Sequence, residues 1–145
     1  MNQDIFIEQM RQEVRTLGVT ETKTPEAVDA ALKNSQGTLL VFMNSVCGCS
    51  AGSARPALRL ALQTSDILPK KMITVFAGQD KDATAQVRAY IQGYAPSSPS
   101  IWLFRDGKVV HAIERYQIEG RSPEMIAENL VDAFHAFCGE PQTAE

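Results

Sequence analysis

An unbroken apolar run, Leu39-Leu40-Val41-Phe42-Met43, begins after Gly37-Thr38 and stops at Asn44-Ser45. A run of this length, bounded by glycine on one side and small polar residues on the other, reads as a buried strand. Directly after it come Val46-Cys47-Gly48-Cys49-Ser50-Ala51-Gly52, so the strand delivers two thiols to a turn.

The spacing of the thiols restricts their use. A disulfide needs Cα atoms roughly 4.4–6.8 Å apart with converging Cβ vectors, whereas residues two apart on a helix point to different sides. The pair therefore cannot bridge in mid-helix. With Cys47 just ahead of a helix that begins near Gly48 or Cys49, and Gly48 free to take backbone angles a Cβ forbids, a strained and easily reduced bridge can form. The same placement lets the unpaired N–H groups of the helix start stabilise a thiolate at Cys47, the candidate nucleophile. Arg55 is the nearest charge and a lesser contributor.

The rest of the composition narrows the setting. A chain of 145 residues fits one domain with a real core, and its 44% hydrophobic and 21% charged content is that of an ordinary folded protein. With a net charge of −3 and Lys and Arg scattered, nucleic acid is not an expected partner. The apolar runs fall short of the roughly 20 residues of a membrane span. Met1 to Val14 carries Asp4, Glu8 and Glu13 and lacks the apolar stretch of a secretory signal, so a cytoplasmic location and no membrane partner are expected. Three cysteines without an export signal point to metal or redox use rather than a disulfide framework.

Periodicity and end signals order the remaining elements. Ile7, Met10, Val14 and Leu17 form the apolar stripe of a first helix over 5–17, and Thr24-Pro25-Glu26 starts a second that runs to about Asn34. After the thiols a helix over 53–64 contains Pro56, which should bend it. Strand 72–77 leads to a helix capped by Asp80 and ended near Gly93. Ala95-Pro96-Ser97-Ser98-Pro99-Ser100 turns into strand 101–104, Asp106-Gly107 makes a hairpin with 109–113, and Ser122-Pro123 opens a last helix ending at Cys138-Gly139. The expected architecture is α/β, a mixed sheet of about four strands flanked by helices. Residues 1–36 form a helical extension, 37–138 the core and 139–145 a flexible tail. Thiols at the first strand-to-helix turn and a proline just ahead of the third strand look like a thioredoxin fold.

Four ordered stretches carry a closer likeness: Asn44-Ser45-Val46-Cys47-Gly48-Cys49, Val75-Phe76-Ala77-Gly78-Gln79-Asp80-Lys81, Ala95 to Ser100, and His111 through Ile118-Glu119-Gly120. Together they resemble the bacilliredoxin family over nearly the whole chain. Tyr116, where many members have His, and Ser50, where Ala is common, depart from it. The resemblance implies an enzyme that removes bacillithiol from mixed disulfides on cytoplasmic proteins, with weak disulfide isomerase or reductase activity. Bacillithiol is then a co-substrate rather than a bound cofactor, and the partners are S-thiolated or disulfide-containing proteins. Cys47 attacks, and Cys49 either resolves the mixed disulfide or guards against overoxidation. Pro99 is expected to be cis, so that Ser98 offers its backbone to the substrate beside Gly48.

Other readings remain open. Cys138 is a third redox thiol, a buried small residue, or a metal ligand. Cys47, Cys49, His135 and Cys138 would make a zinc site if they converged. A thiol-bearing interaction module without turnover is a further alternative. His111 and Asp80 read as structural, Trp102 and Tyr94 as core or site wall, and Arg55, Arg88, Arg105 and Arg115 as solvated charges, one of which is a candidate contact for an anionic thiol.

Overall fold

The computed structural model describes residues 3–139. Its elements are α1 (Gln3–Arg15), β1 (Thr20–Glu21), α2 (Pro25–Leu32), β2 (Thr38–Asn44), α3 (Arg55–Thr64), β3 (Lys71–Phe76), α4 (Lys81–Tyr90), β4 (Ser100–Arg105), β5 (Lys108–Ile113), α5 (Arg115–Ile118) and α6 (Pro123–Phe137). The opening apolar run is the central strand. β2 pairs parallel with β3 and antiparallel with β4, in a five-stranded sheet ordered β1-β3-β2-β4-β5.

Helices cover both faces of that sheet, so alternate side chains of β2 enter two separate cores. Leu40 and Phe42 pack with Val14, Leu58, Leu130 and Phe134 from α1, α3 and α6. Leu39, Val41 and Met43 pack with Val28, Leu32 and Val87 from α2 and α4. All five strand residues are 0% exposed, which is why the run has no polar alternation.

Local signals fix the ends of these elements. Thr24 Oγ1 accepts the Ala27 N–H at 3.1 Å, with Pro25 in the first turn of α2. α2 stops at Leu32, slightly before the expected Asn34, which takes a φ of 59°. Asp106 and Gly107, with φ of 51° and 83°, turn β4 into β5, and Asp106 Oδ1 accepts the Gly37 N–H at 2.7 Å.

Several features differ from the expectation. Residues 1–36 are not only helical: β1 adds a fifth strand, pairing Thr20 with Ile73 and Glu21 with Thr74. A strand of two residues leaves no periodicity to read. The short α5 also escaped, though Glu114 and Gln117 close it with reciprocal capping bonds. Asp80 stands at the start of α4 without capping it. Its carboxylate is instead held by Arg11, at 2.8 and 2.9 Å, and by the Phe76 N–H at 3.3 Å. The expected tail lies outside the described residues from 140 onward.

Pro56 does perturb its helix, in a particular way. The helix starts at Gly48, where the Ser50 and Ala51 N–H groups reach the Cys47 carbonyl at 2.9 and 3.3 Å. It then winds wide through Ser50–Ala54, where the Arg55 N–H reaches back to the Ser50 carbonyl, before α3 tightens. A proline lacks the N–H and its ring crowds the preceding turn, and a wide turn relieves both.

Candidate active site

The thiols sit where β2 hands over to that helix. Because the Cys47 carbonyl accepts the first helical hydrogen bonds, Cys47 is the capping residue. Its Sγ accepts the Cys49 N–H at 3.4 Å, and the two sulfurs approach to 2.8 Å. Both are free thiols, half-buried. The thiols that could not meet in mid-helix meet here because only Cys49 is inside the helix.

This geometry separates the two sulfurs electrostatically. The Cys49 S–H donates to Cys47 Sγ, and that bond is the largest cause that holds the Cys47 thiol below its ordinary range. The Cys49 N–H, the Arg115 charge and the Ser50 N–H act in the same direction against a burial cost. Cys49 is pushed up, first by burial and then by the thiolate beside it. The arrangement thus favours the thiolate at Cys47 and the proton at Cys49.

Gly48 plays a different part from the one expected. Its φ is not left-handed, and a Cβ built on it would meet nothing within 4 Å. It is exposed between the two cysteines, so what it provides is open space at the mouth of the site.

A buried polar floor supports the turn. Asn44 Oδ1 accepts from the Ser45 N–H at 2.9 Å, the Ser50 hydroxyl at 3.1 Å and Arg55 Nη1 at 2.9 Å. Arg55 Nη1 also donates to the Ser45 carbonyl at 2.9 Å and to Ser50 Oγ at 3.0 Å, while its Nε meets Glu13 at 3.0 Å. Arg55 is 3% exposed, so it is not the solvated charge that its place in the sequence suggested. Ser45 Oγ in turn accepts the Cys47 N–H at 3.0 Å. The Ser50 hydroxyl thus belongs to this floor.

The opposite wall is the turn ahead of β4. The Ser98–Pro99 bond is cis. Because Ser100 pairs with Met43 across the sheet, continuing that register carries Pro99 and Ser98 past Asn44 toward the thiol turn. Ser100 Oγ donates to the Ser97 carbonyl at 3.1 Å and accepts from Trp102 Nε1 at 2.8 Å, and Tyr94 stands edge-on to Trp102 at 4.8 Å. These aromatics brace the wall. Arg115 closes the third side: Nη1 donates to the Ser98 carbonyl at 3.3 Å and Nε to Glu119 at 2.9 Å.

Other expected residues fall elsewhere. Cys138 lies by Thr38 and Arg105, at the start of β2, while Cys47 and Cys49 come after its end, about 20 Å away at the ordinary strand rise. His135 Nε2 is engaged by Asp66 at 2.9 Å. The four-ligand zinc cluster therefore does not form, and among the described residues no group of three or more His, Cys, Asp or Glu is placed to hold a metal. Burial pushes the Cys138 thiol up, which keeps it protonated. His111, in the middle of the edge strand β5, pairs with Leu103 and meets Asn129 at 2.7 Å, away from the thiols. Arg88 is half-buried against Met43 rather than solvated, and Tyr116 is 70% exposed. Sequence reasoning missed the roles of Asn44, Arg55 and Arg115. Asn44 and Arg55 carry a weak signal as polar residues flanking the thiol turn, and Arg115 carries little until α5 is known to begin there, just after β5.

A parallel-then-antiparallel sheet with a thiol pair at a helix mouth, faced by a cis-proline turn, defines a thioredoxin-fold protein of the thiol–disulfide oxidoreductase class. A mutant thioredoxin from Halobacterium salinarum shares the fold, with a TM-score of 0.54 and 15% identity over 83% of this chain and 90% of that one. A thioredoxin mutant from Entamoeba histolytica gives 0.52 and 17% over 79% of this chain and 98% of that one. The family model described as disulphide isomerase matches residues 2–138. A bacilliredoxin of Salinibacter ruber is 50% identical over 94% of this chain and 81% of its own length. One from Staphylococcus aureus is 48% identical over 97% and 98%. The chain belongs to the bacilliredoxin family.

Proposed function

We propose that this protein removes bacillithiol, or a similar low-molecular-weight thiol, from mixed disulfides on protein cysteines. The observation that carries the reading is Cys47 at the helix cap with its sulfur 2.8 Å from that of Cys49, whose thiol burial pushes up. The Cys47 thiolate attacks the small thiol's sulfur in the mixed disulfide. A Cys47–small-thiol disulfide forms, the old sulfur–sulfur bond breaks, and the protein thiolate leaves to take a proton from solvent.

Regeneration has two routes. Cys49 loses its proton, attacks Cys47 Sγ and expels the small thiol, which leaves an internal disulfide for a two-electron thiol reductant to open. Alternatively a second small thiol attacks the mixed disulfide and departs as the symmetrical disulfide. A weak isomerase or reductase activity uses the same first step on a protein disulfide. Ser98, beside Pro99, supplies the backbone edge against which an extended substrate segment lies.

Mass analysis tests the assignment on a single-cysteine protein loaded with bacillithiol. Wild type frees the target cysteine, Cys49→Ala accumulates the small thiol on Cys47, and Cys47→Ser is inactive. Release by Cys47→Ser at the wild-type rate would sink the assignment.

A further inference from the structure

We propose that Arg115 is the anion-recognition residue of this site, holding a carboxylate carried by the small thiol as Cys47 attacks. The inference rests on the thiol-transfer reading and adds a chemical class to its substrate. It starts from where the guanidinium stands. Arg115 begins α5, directly after β5, and its Nη1 spans to the Ser98 carbonyl at 3.3 Å. The side chain thus stands between the cis-proline turn, through Ser98, and the thiols its charge acts on, on a side of the site that a substituent carried on Cys47 can face.

Its donors are only partly used. Nε is engaged by Glu119 at 2.9 Å and Nη1 by the long bond to Ser98, and neither bond uses Nη2. A guanidinium presents five N–H donors in a planar fork that matches a carboxylate. Arg115 is the cation whose charge bears on both Cys47 and Cys49. Arg55, the other arginine near the turn, is spent beneath it on Asn44, Ser45, Ser50 and Glu13. An anionic group arriving with the small thiol therefore finds Arg115 at the surface, and Glu119 is the carboxylate already competing for it.

Glu119 makes the proposal testable in two opposite directions. The reduced full-length chain is alkylated at fixed pH with iodoacetate and with neutral iodoacetamide, and the labelled cysteine is located by peptide mass. Both reagents meet the same thiolate, so the ratio of their rates at Cys47 cancels any change in its protonation and reads attraction of a carboxylate. Relative to wild type, Arg115→Gln lowers the ratio about 1.5- to fivefold, the scale of an exposed ion pair, and Glu119→Gln raises it. A ratio unchanged within about 1.3-fold in folded Arg115→Gln, below the scale of an exposed ion pair, overturns the proposal.

Turnover separates this from the reading beneath it. Wild type releases mercaptosuccinate from a loaded single-cysteine protein faster than 2-mercaptoethanol, and Arg115→Gln removes the preference. Loss of both rates equally in Arg115→Gln overturns the proposal, because the residue then serves only the Cys47 thiolate. If wild type releases neither thiol while the alkylation ratio still shifts with both variants, thiol transfer fails and the anion site stands.

Discussion

Cys47 and Cys49 differ by one structural fact: Cys47 caps the helix and Cys49 is inside it. The consequence is a pH profile. Cys47 is held below the ordinary thiol range chiefly by the Cys49 S–H, so its thiolate persists below the usual thiol titration and is lost only as pH falls through the lowered value. Iodoacetamide labelling of Cys47 should therefore remain fast at pH values where a free thiol has slowed, with Cys49 labelled only at higher pH. Cys49→Ala removes the donor and moves the Cys47 curve upward. An identical curve in the variant would assign the activation to the backbone N–H groups and the Arg115 charge.

Arg55 is the residue whose meaning changed most. Its sequence context shows a lone cation after a small-residue stretch, while the fold buries it among four acceptors and makes it the floor of the turn. Arg55→Met keeps the apolar stem but strips Asn44 and the Ser45 carbonyl of a charged donor. The expected cost is about 2–3 kcal/mol, read as a lower urea midpoint at unchanged slope. A shift within about 0.5 kcal/mol, the scale of a surface substitution, would mean that water replaces the guanidinium.

At the scale of elements, what was legible was what short-range patterns encode. Thr24-Pro25, Ser122-Pro123 and Asp106-Gly107 each marked an element end, and the two-sided apolar run marked β2. What was not legible depended on neighbours distant in the chain. β1 exists because β3 offers an edge at Ile73 and Thr74, and Asp80 turns away from its helix because Arg11 reaches it. The thiol pair and Pro99 were visible as residues, but the wall between them was not, since Arg115 arrives on an element that sequence did not reveal. Gly48 was read as a backbone device and is instead an opening. Gly48→Ala should therefore fold with a melting temperature at or slightly above wild type, yet release a small thiol from a folded protein severalfold more slowly. A clear drop in melting temperature would restore the backbone explanation.

On the scale of the molecule, the N-terminal helix is bound to the same end of the sheet as the thiols. The Met10 carbonyl accepts the Asn44 side-chain N–H at 3.3 Å, Glu13 holds Arg55, and Arg11 joins Asp80 and Glu21 while lying 5.1 Å over the Phe76 ring. Asn44 and Phe76 are paired at the ends of β2 and β3, so α1 crosses beneath the strand ends that carry the site. On these contacts α1 should belong to the same cooperative unit as the sheet. Arg11→Met leaves the Asp80 carboxylate, 10% exposed, without its cation, at an expected cost of about 2 kcal/mol. Asp80→Asn in the same chain recovers part of that loss, because the stranded charge is gone. Far-ultraviolet circular dichroism and Cys47 alkylation should report one coincident urea transition in each variant. Were alkylation to change at lower urea than the circular dichroism, α1 would be detaching on its own, and the floor of the site would belong to a separable element.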